Sequence, residues 1–329
     1  MPEKKVLIHA DGVKKYFPSS EGFKTKYVKA VDNVSLDVYK GETLGLVGES
    51  GCGKSTFGRC LLRLFDITGG TIEFNGKDIY AMSPNDLIKE RRNMQLIFQD
   101  PLASLNPRLR IRQIVEEPLH FHKEQLDFDI NDKAKVREVV DKTLRDVGLD
   151  PDLCADRYPH EFSGGQQQRV GIARALILKP DFIVCDEAVS ALDVSVQAQV
   201  LNLLEELKKE YDLTYLFISH NLSVIKHVCD RIAVMYLGQV VELADRDVLF
   251  SNPQHPYTKA LISAIPIPDP EKKRNRILLE GDIPSPMNPP SGCRFHTRCY
   301  ECGENCGCSE PSMIEVEPGH FVACHKFDK

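Results

Sequence analysis

No apolar run in this 329-residue sequence approaches the ~18 residues that a membrane-spanning helix needs. We therefore expect no segment to cross a membrane by itself. The first residues, MPEKKVLIHADGV, also lack the hydrophobic core of a secretion signal. A basic excess is absent, because 42 lysines and arginines face 48 aspartates and glutamates, which argues against a broad nucleic-acid-binding surface. The expected location is the cytoplasm, where thiols are kept reduced.

The eleven cysteines are distributed unevenly along the chain. Five are scattered, and we expect them to be small buried apolar side chains; they are Cys52, Cys60, Cys154, Cys185 and Cys229. The other six fall between positions 293 and 324. A cytoplasmic location argues against disulfides there, so metal ligation is the favoured hypothesis, and a disordered tail with incidental thiols is the alternative.

The stretch GESGCGKST matches the pattern G-x-x-x-x-G-K-[S/T] of a phosphate-binding loop. The apolar run TLGLV before it predicts a strand, and STFGRCLLRLF after it has helical spacing. In such a loop, backbone N–H groups and the helix start hold the β-phosphate, Lys54 reaches the β- and γ-phosphates, and the Ser55 hydroxyl ligates Mg²⁺. The predicted nucleotide-binding residues of the loop are Gly48, Ser50, Gly51, Cys52, Gly53, Lys54, Ser55 and Thr56.

A second apolar strand, FIVC, is predicted to end in Asp186 and Glu187. A carboxylate at the end of a neighbouring parallel strand can hold Mg²⁺, which is the role expected of Asp186. Glu187 is suited to polarise the water that attacks the γ-phosphate. Together with the phosphate loop, this pair predicts nucleotide hydrolysis.

Between these motifs, PHEFSGGQQQRVGIARAL contains a second potential anion site. Ser163, Gly164, Gly165 and Gln166 precede a helix that is predicted to begin near Gln167. Since one nucleotide hardly needs two such sites, we expect the second site to serve a nucleotide bound by a second copy or a partner.

These residues resemble the ordered motifs of the ABC ATPases over roughly residues 5 to 250. FSGGQ resembles the signature motif, with Phe162 where leucine is more usual. Tyr16 in VKKYF resembles the aromatic residue that stacks on adenine, with Phe17 or Tyr27 as alternatives. The remaining motifs are LIFQDP with Gln99, SALD with Asp193, and FISH with His220.

The resemblance implies a head-to-tail pair of ATPase domains, with ATP between the phosphate loop of one and the signature motif of the other. In this arrangement Glu187 is the catalytic base and His220 contacts the γ-phosphate. Gln99 senses Mg²⁺ and couples to the partner. The Mg²⁺ ligands expected by resemblance and chemistry are Ser55, Gln99 and Asp186.

The predicted fold class is α/β, because apolar strands alternate with helical stretches. The resemblance implies a P-loop ABC ATPase domain over 1–255, with a parallel sheet core, an antiparallel β part and a helical signature subdomain. A small Cys-rich module over 256–329 follows, reached by the Pro-rich stretch that begins at IPIPDP. The stretch SVQAQVLNLLEELKKEY predicts a helix with one apolar, core-facing side.

The tail resembles that of oligopeptide and dipeptide importer ATPases, most closely the F-type subunit of such systems, through NPQHPYTKAL and GDIPSPMNPPSGCRFHTRC. The resemblance implies a peripheral subunit at the cytoplasmic face of the membrane that hydrolyses ATP to energise peptide import. The implied partners are a second ABC ATPase, two membrane permeases and, indirectly, an extracytoplasmic solute-binding protein, with no nucleic acid.

Three alternatives to peptide import remain. The transported solute could be nickel or another small solute. A soluble ABC ATPase acting on DNA or ribosomes would be expected to carry coiled-coil insertions or a second cassette, and neither is found in the sequence. A metal-regulated module with a degenerate ATPase conflicts with the intact Lys54, Asp186, Glu187 and His220.

The spacing of the tail cysteines bears on the kind of metal. Structural zinc favours C-x₂-C pairs, and only Cys299 and Cys302 offer one, whereas thiolates on a looser loop suit an iron–sulfur cluster. By resemblance to the peptide-importer subunits, the ligands of a [4Fe–4S] cluster are Cys293, Cys299, Cys306 and Cys324. Zinc is the alternative, and Cys302 and Cys308 are potential competing ligands. Ligands so scattered in a short module predict that metal binding is coupled to its folding.

Overall fold

The structure is a computed structural model, and it describes residues 5–21, 24–266 and 276–328. Residues 267–275 of the predicted Pro-rich linker and the first four residues of the chain lie outside these ranges. Residues 276–292 of the linker contain neither helix nor strand.

The strands of the described ranges are β1 Val6–Glu21, β2 Lys24–Tyr39, β3 Thr43–Val47, β4 Gly69–Phe74, β5 Lys77–Asp78, β6 Met94–Ile97, β7 Phe182–Asp186, β8 Thr214–Ser219, β9 Arg231–Tyr236, β10 Gln239–Asp245, β11 Met313–Glu317 and β12 His320–Ala323. The α-helices are α1 Lys54–Leu61, α2 Pro84–Arg91, α3 Pro101–Ser104, α4 Ile111–Phe121, α5 Lys133–Asp146, α6 Pro151–Cys154, α7 Gly164–Leu176, α8 Val194–Tyr211, α9 Leu222–Val228, α10 Arg246–Ser251 and α11 Pro256–Ser263. Among the described residues, no helix combines the length and apolarity needed to cross a bilayer.

The chain forms two compact units. The first unit consists of Met1–Tyr80 and Phe217–Lys329, and the second of Ala81–Leu216. The first unit therefore contains both the predicted phosphate loop and the cysteine-rich tail. The second contains the signature motif and the predicted catalytic carboxylates.

Two kinds of sheet build the first unit. One is an antiparallel sheet in the order β2-β1-β4-β5. The other pairs β3 and β9 in parallel and continues through β10 and β12 to β11 with antiparallel pairing. Every residue of β3 and β9 is buried, as expected for strands covered on both faces. Parallel and antiparallel parts are thus both present, as the fold class predicts.

The tail is part of the core of the first unit. Strand β12 adds to β10, pairing Val322 with Glu242. Phe295 is 1% exposed, and its ring lies 5.2 Å from that of Tyr236 and 5.3 Å from that of Tyr257. The tail therefore shares the core of the ATPase strands.

A buried carboxylate fastens this tail. Glu242 on β10 is fully buried and accepts hydrogen bonds from the backbone N–H groups of Gln254 and His255, at 2.7 and 3.0 Å. Nε2 of His320 on β12 lies 2.7 Å from the same carboxylate. Buried carboxylates need such partners, so Glu242 fixes both the start of α11 and the last strand.

The second unit contains the parallel pair β6 and β7 and the helices α2 to α8. The predicted amphipathic helix is α8. Its buried face includes Val200, Leu203, Leu204 and Leu207, whereas Val196 is only partly buried. Helices α4 and α5 also belong to this unit.

Candidate functional site

Two glycines shape the loop between β3 and α1. Gly48 has φ of 153°, and a Cβ there would lie 2.1 Å from the carbonyl oxygen of Met235. Gly53 has φ of 105°, and its Cβ would lie 1.9 Å from the carbonyl oxygen of Ala30. Only glycine allows the loop to pass this close to neighbouring backbone. By contrast, a Cβ on Gly51 would meet nothing within 4 Å, so the tip of the loop is open.

Lys54 is held inside this loop at the first turn of α1. Its side chain is buried, and Nζ donates hydrogen bonds to the carbonyl oxygens of Gly48 at 2.8 Å and Glu49 at 2.9 Å. The Cys52 thiol lies 3.7 Å from Nζ, and burial raises the pKa of this thiol. The lysine is therefore the cation of the loop, beside a neutral thiol, and Ser55 follows it at the helix start.

The adjacent Glu49 makes contacts that the sequence motifs do not reveal. Arg298 donates to both carboxylate oxygens of Glu49, at 2.8 and 3.1 Å. The backbone N–H of Glu49 donates to the hydroxyl of Tyr257 at 2.9 Å. Residues far along the tail thus hold the phosphate loop, and no local pattern in the sequence signals these contacts.

The predicted adenine-stacking residue, Tyr16, lies on β1. Its hydroxyl donates a short hydrogen bond to Asp32, and burial together with this carboxylate raises the pKa of Tyr16. Nζ of Lys29 lies 5.6 Å from the ring centroid of Tyr16. Of the two alternatives, Phe17 packs edge-to-face on Phe65, whereas Tyr27 is half exposed. The hydroxyl of Tyr16 is thus held in place by Asp32.

The second unit brings the predicted base Glu187 into contact with Gln99, which was predicted to sense Mg²⁺. Nε2 of Gln99 donates to Oε2 of Glu187 at 3.0 Å. Asp186 is buried at the last position of β7, and Glu187 follows with φ of 48°. A left-handed backbone is uncommon for a residue with a side chain and is often found at functional sites.

The signature residues begin α7, one turn earlier than predicted. The helix starts at Gly164 rather than near Gln167, with Ser163 as its N-cap. The reason is a capping interaction, in which the Ser163 backbone N–H donates to Oε1 of Gln166 at 3.0 Å. A Cβ on Gly165 would lie 2.3 Å from Cγ1 of Val196, so glycine is required there by packing on α8. Ser163 and Gly164 are exposed at a helix N-terminus, a suitable position for an anion.

Two further predicted residues lie at element ends. Asp193 is the N-cap residue of α8 and is exposed. The turn before it is closed by Ser190, whose hydroxyl donates to the carbonyl oxygen of Glu187 at 2.9 Å. His220 is exposed and follows the last residue of β8 directly.

The tail cysteines fall into two groups. Four line one cavity of about 430 Å³, and these are the four predicted ligands Cys293, Cys299, Cys306 and Cys324. All four are partly buried, whereas Cys302 and Cys308 are exposed and do not line the cavity. Burial raises the pKa values of Cys293 and Cys299 to about 11. The structure thus separates the expected ligands from the two potential competitors.

The four thiols do not form a metal centre in this arrangement. Within the described ranges, no group of three or more histidine, cysteine or acidic side chains is placed to hold a metal ion. All eleven cysteines, each of them in those ranges, are free thiols. The five scattered cysteines are buried, which confirms the prediction made for them.

Comparison with known proteins agrees with this geometry. The family model of the ABC transporter ATPase matches residues 31–190, and that of the oligopeptide/dipeptide transporter C-terminal region matches 241–306. The chain resembles the dimeric structure of the ATP-binding cassette MJ0796 bound to ADP and Pi, with 29% identity and a TM-score of 0.64 over 73% of this chain and 99% of that one.

Curated relatives match over nearly the whole length. The putative oligopeptide transport ATP-binding protein YkfD of Bacillus subtilis is 54% identical over 98% of this chain and 95% of its own. The oligopeptide transport ATP-binding protein OppF of Salmonella typhimurium is 51% identical over 99% and 98%.

The fold and the phosphate loop thus define an ATPase of the ABC class. Within that class, the chain belongs to the family of oligopeptide and dipeptide transport ATP-binding proteins.

Proposed function

We propose that this chain is the ATP-binding and ATP-hydrolysing subunit that energises a membrane importer of peptides. The observation that carries the proposal is the match of both the ATPase region and the tail to oligopeptide transport ATP-binding proteins over almost the full length. The phosphate loop with a buried Lys54 and the Gln99–Glu187 contact are the features that a working ATPase needs.

In the proposed mechanism, Lys54 and the loop N–H groups hold the phosphates, and Tyr16 stacks on adenine. Ser55, Gln99 and Asp186 would hold Mg²⁺, which would neutralise charge on the phosphates. Glu187 accepts a proton from the attacking water, and His220 contacts the γ-phosphate. Gln99 donates to Glu187 and fixes its carboxylate at the end of β7. Hydrolysis at this site is therefore proposed to be Mg²⁺-dependent.

The signature residues are proposed to act on another subunit. Ser163 and Gly164 are exposed at the start of α7, and together with Gly165 and Gln166 they suit the γ-phosphate of ATP bound by a second ABC ATPase. Asp193 would lie near the same interface. The complete assembly would add two permeases and an extracytoplasmic solute-binding protein, with this chain peripheral at the cytoplasmic face.

The tail, taken as a domain over 256–329, is proposed to hold a [4Fe–4S] cluster. The fit is in the donor set, because four thiols and no other cysteine line one cavity. Thiolates from loops and a short hairpin suit such a cluster, with zinc as the alternative. Since the thiols are not gathered around a point, loading would require the 293–306 loop to close, which couples binding to local folding.

Transport can be tested by expressing the chain with two candidate permeases and a second ATPase. Co-purification and ATP-dependent uptake of labelled peptides are expected, and uptake should stop in the Glu187→Gln variant. Assembly with permeases but uptake of nickel instead of peptide would contradict the proposed solute. Failure to co-purify with any membrane partner would contradict transport itself.

A further inference from the structure

Two arginines flank the cysteine positions of the tail and point away from the cysteine cavity into the ATPase strands. Arg294 follows Cys293, and Arg298 precedes Cys299. Their side chains are 3% and 7% exposed, so each is buried with its charge. Buried guanidinium groups need partners, and both find carboxylates in the nucleotide-binding part of the first unit.

Arg298 forms a two-bond pair with Glu49, the second residue of the phosphate loop. Parallel N–H···O bonds of this kind fix orientation as well as position. The ring of Tyr236 lies 5.9 Å from the guanidinium, which limits its movement further. Because the Glu49 carbonyl also accepts from Lys54, the tail, the loop and the phosphate-binding lysine are linked through one residue.

Arg294 reaches the other end of the predicted ATP site. It donates short hydrogen bonds to Asp32 and to the carbonyl oxygen of Leu237. The other oxygen of Asp32 accepts from Tyr16, the proposed adenine-stacking residue. Although burial alone would raise it, the Tyr16 hydroxyl and the Arg294 guanidinium hold the pKa of Asp32 below its usual range.

Because Glu49 is charged, its pair with Arg298 affects nucleotide binding as well as the position of the loop. Glu49 places a carboxylate in a loop whose ligand, a triphosphate, is also negative. The negative charge of Glu49 repels the triphosphate, and solvent screens this repulsion only in part. ATP therefore binds more weakly unless the carboxylate is neutralised. Arg298 supplies that neutralisation from the cysteine module.

We propose that Arg298 is a positioning residue for ATP, which neutralises Glu49 and holds the phosphate loop, and that ATP affinity therefore depends on the order of the Cys293–Cys299 segment. The second part rests on the proposed metal site. Arg294, which lies in the same segment, holds the adenine end of the ATP site through Asp32 and Tyr16.

The charge relationship is tested by titrating the full-length protein with a fluorescent ATP analogue. Arg298→Ala is expected to weaken the analogue's binding by roughly tenfold, since it leaves the Glu49 charge unpaired. Glu49→Gln combined with Arg298→Ala removes both charges of the pair and should recover most of the lost affinity. KM for ATP should rise in Arg298→Ala, while kcat of the assembled ATPase should change little.

Arg231→Gln is the matched control, because Arg231 is similarly buried and pairs with Glu42 outside the phosphate loop. It should lower the melting temperature without changing affinity for the ATP analogue. If the double variant binds as weakly as Arg298→Ala, or if Arg231→Gln weakens binding equally, the charge role of Arg298 is wrong.

The dependence on the cysteine segment is tested separately with Cys299→Ser, using Cys302→Ser as the control. Cys299→Ser should lose metal and weaken binding of the ATP analogue about as much as Arg298→Ala, with little further loss when the two are combined. Cys302→Ser should change neither. Loss of metal with unchanged affinity for the ATP analogue would show that ATP binding does not depend on the Cys293–Cys299 segment. A protein that never contains metal would overturn only the metal site and would not affect the test of Arg298.

Discussion

The side-chain amide of Gln99 donates a 3.0 Å hydrogen bond to the carboxylate of Glu187, which stands in a left-handed backbone conformation after β7. This contact orients the group proposed as the base. Glu187→Gln should therefore keep ATP binding but lower turnover by at least about a hundredfold, because it removes the base and preserves shape. ATP binding and steady-state phosphate release measure the two effects. Lys54→Ala should weaken ATP binding itself, and normal hydrolysis by Glu187→Gln would show that the base is another residue.

A second prediction concerns assembly. The exposed Ser163 helix start is proposed to act on ATP bound elsewhere, so the isolated chain should bind ATP yet hydrolyse it slowly. Adding the partner ATPase should raise the rate per subunit, and Ser163→Arg should suppress this increase while leaving ATP binding by the same chain intact. Fast hydrolysis that does not change with protein concentration would contradict a shared site.

The cysteine cavity predicts which substitutions affect metal content. Protein purified without oxygen should be brown and contain iron and acid-labile sulfide in equal amounts. Cys299→Ser or Cys306→Ser should remove the colour, with weaker but still Lys54-dependent ATP binding. Cys302→Ser and Cys308→Ser should stay brown, because these two exposed thiols do not line the cavity. Colourless protein with stoichiometric zinc would contradict the iron–sulfur cluster and support zinc as the bound metal.

The close approach of Gly53 to Ala30 predicts an unusually costly glycine substitution. Gly53→Ala places a Cβ 1.9 Å from a carbonyl oxygen, and should abolish measurable ATP binding and lower the melting temperature. Gly76→Ala is the control, because Gly76 also has positive φ but open space around its Cβ position. The control should cost only about 1–2 kcal/mol, the usual cost of a left-handed backbone. Equal losses of stability and of ATP binding in both variants would show that the structure relieves the clash at Gly53, and the prediction would be wrong.

His255 predicts a loss of stability in acid. Burial lowers its pKa from 6.5 to about 4, although the carboxylates of Glu242 and Glu301 act in the opposite direction. Between these values the unfolded chain binds a proton that the folded chain does not, so stability falls as the pH falls from 6.5 towards 4. At pH 5 the loss is about 2 kcal/mol. Urea unfolding between pH 5 and 7 measures it.

The matched variant for this prediction is His255→Asn. In the unchanged protein, the backbone N–H of Tyr257 donates to Nδ1 of His255 at 3.1 Å. The side-chain oxygen of asparagine can accept this hydrogen bond, but asparagine does not titrate. The acid-dependent loss should therefore shrink in His255→Asn. An unchanged slope of stability against pH would assign the effect to other groups.

The phosphate loop and the strand-end carboxylates could be predicted because each depends on residues that are neighbours in sequence. The predicted start of α7 lies too late, because Ser-Gly-Gly resembles a loop and the cap between Ser163 and Gln166 becomes evident only in the structure. The Arg298–Glu49 and Arg294–Asp32 pairs could not be predicted, because 249 and 262 residues separate their members. Such pairs follow from how the tail packs, and local patterns carry no information about that.

The pairing of β12 with β10 has a practical consequence for anyone expressing a shortened chain. A product ending near residue 255 would lose His320 and leave the backbone of β10 as a bare sheet edge beside the Glu242 carboxylate. Such edges invite pairing between molecules, and aggregation would follow. Strand β12 thus covers the edge of β10 and protects the ATPase from aggregation. A shortened ATPase for biophysical work therefore has to include this strand.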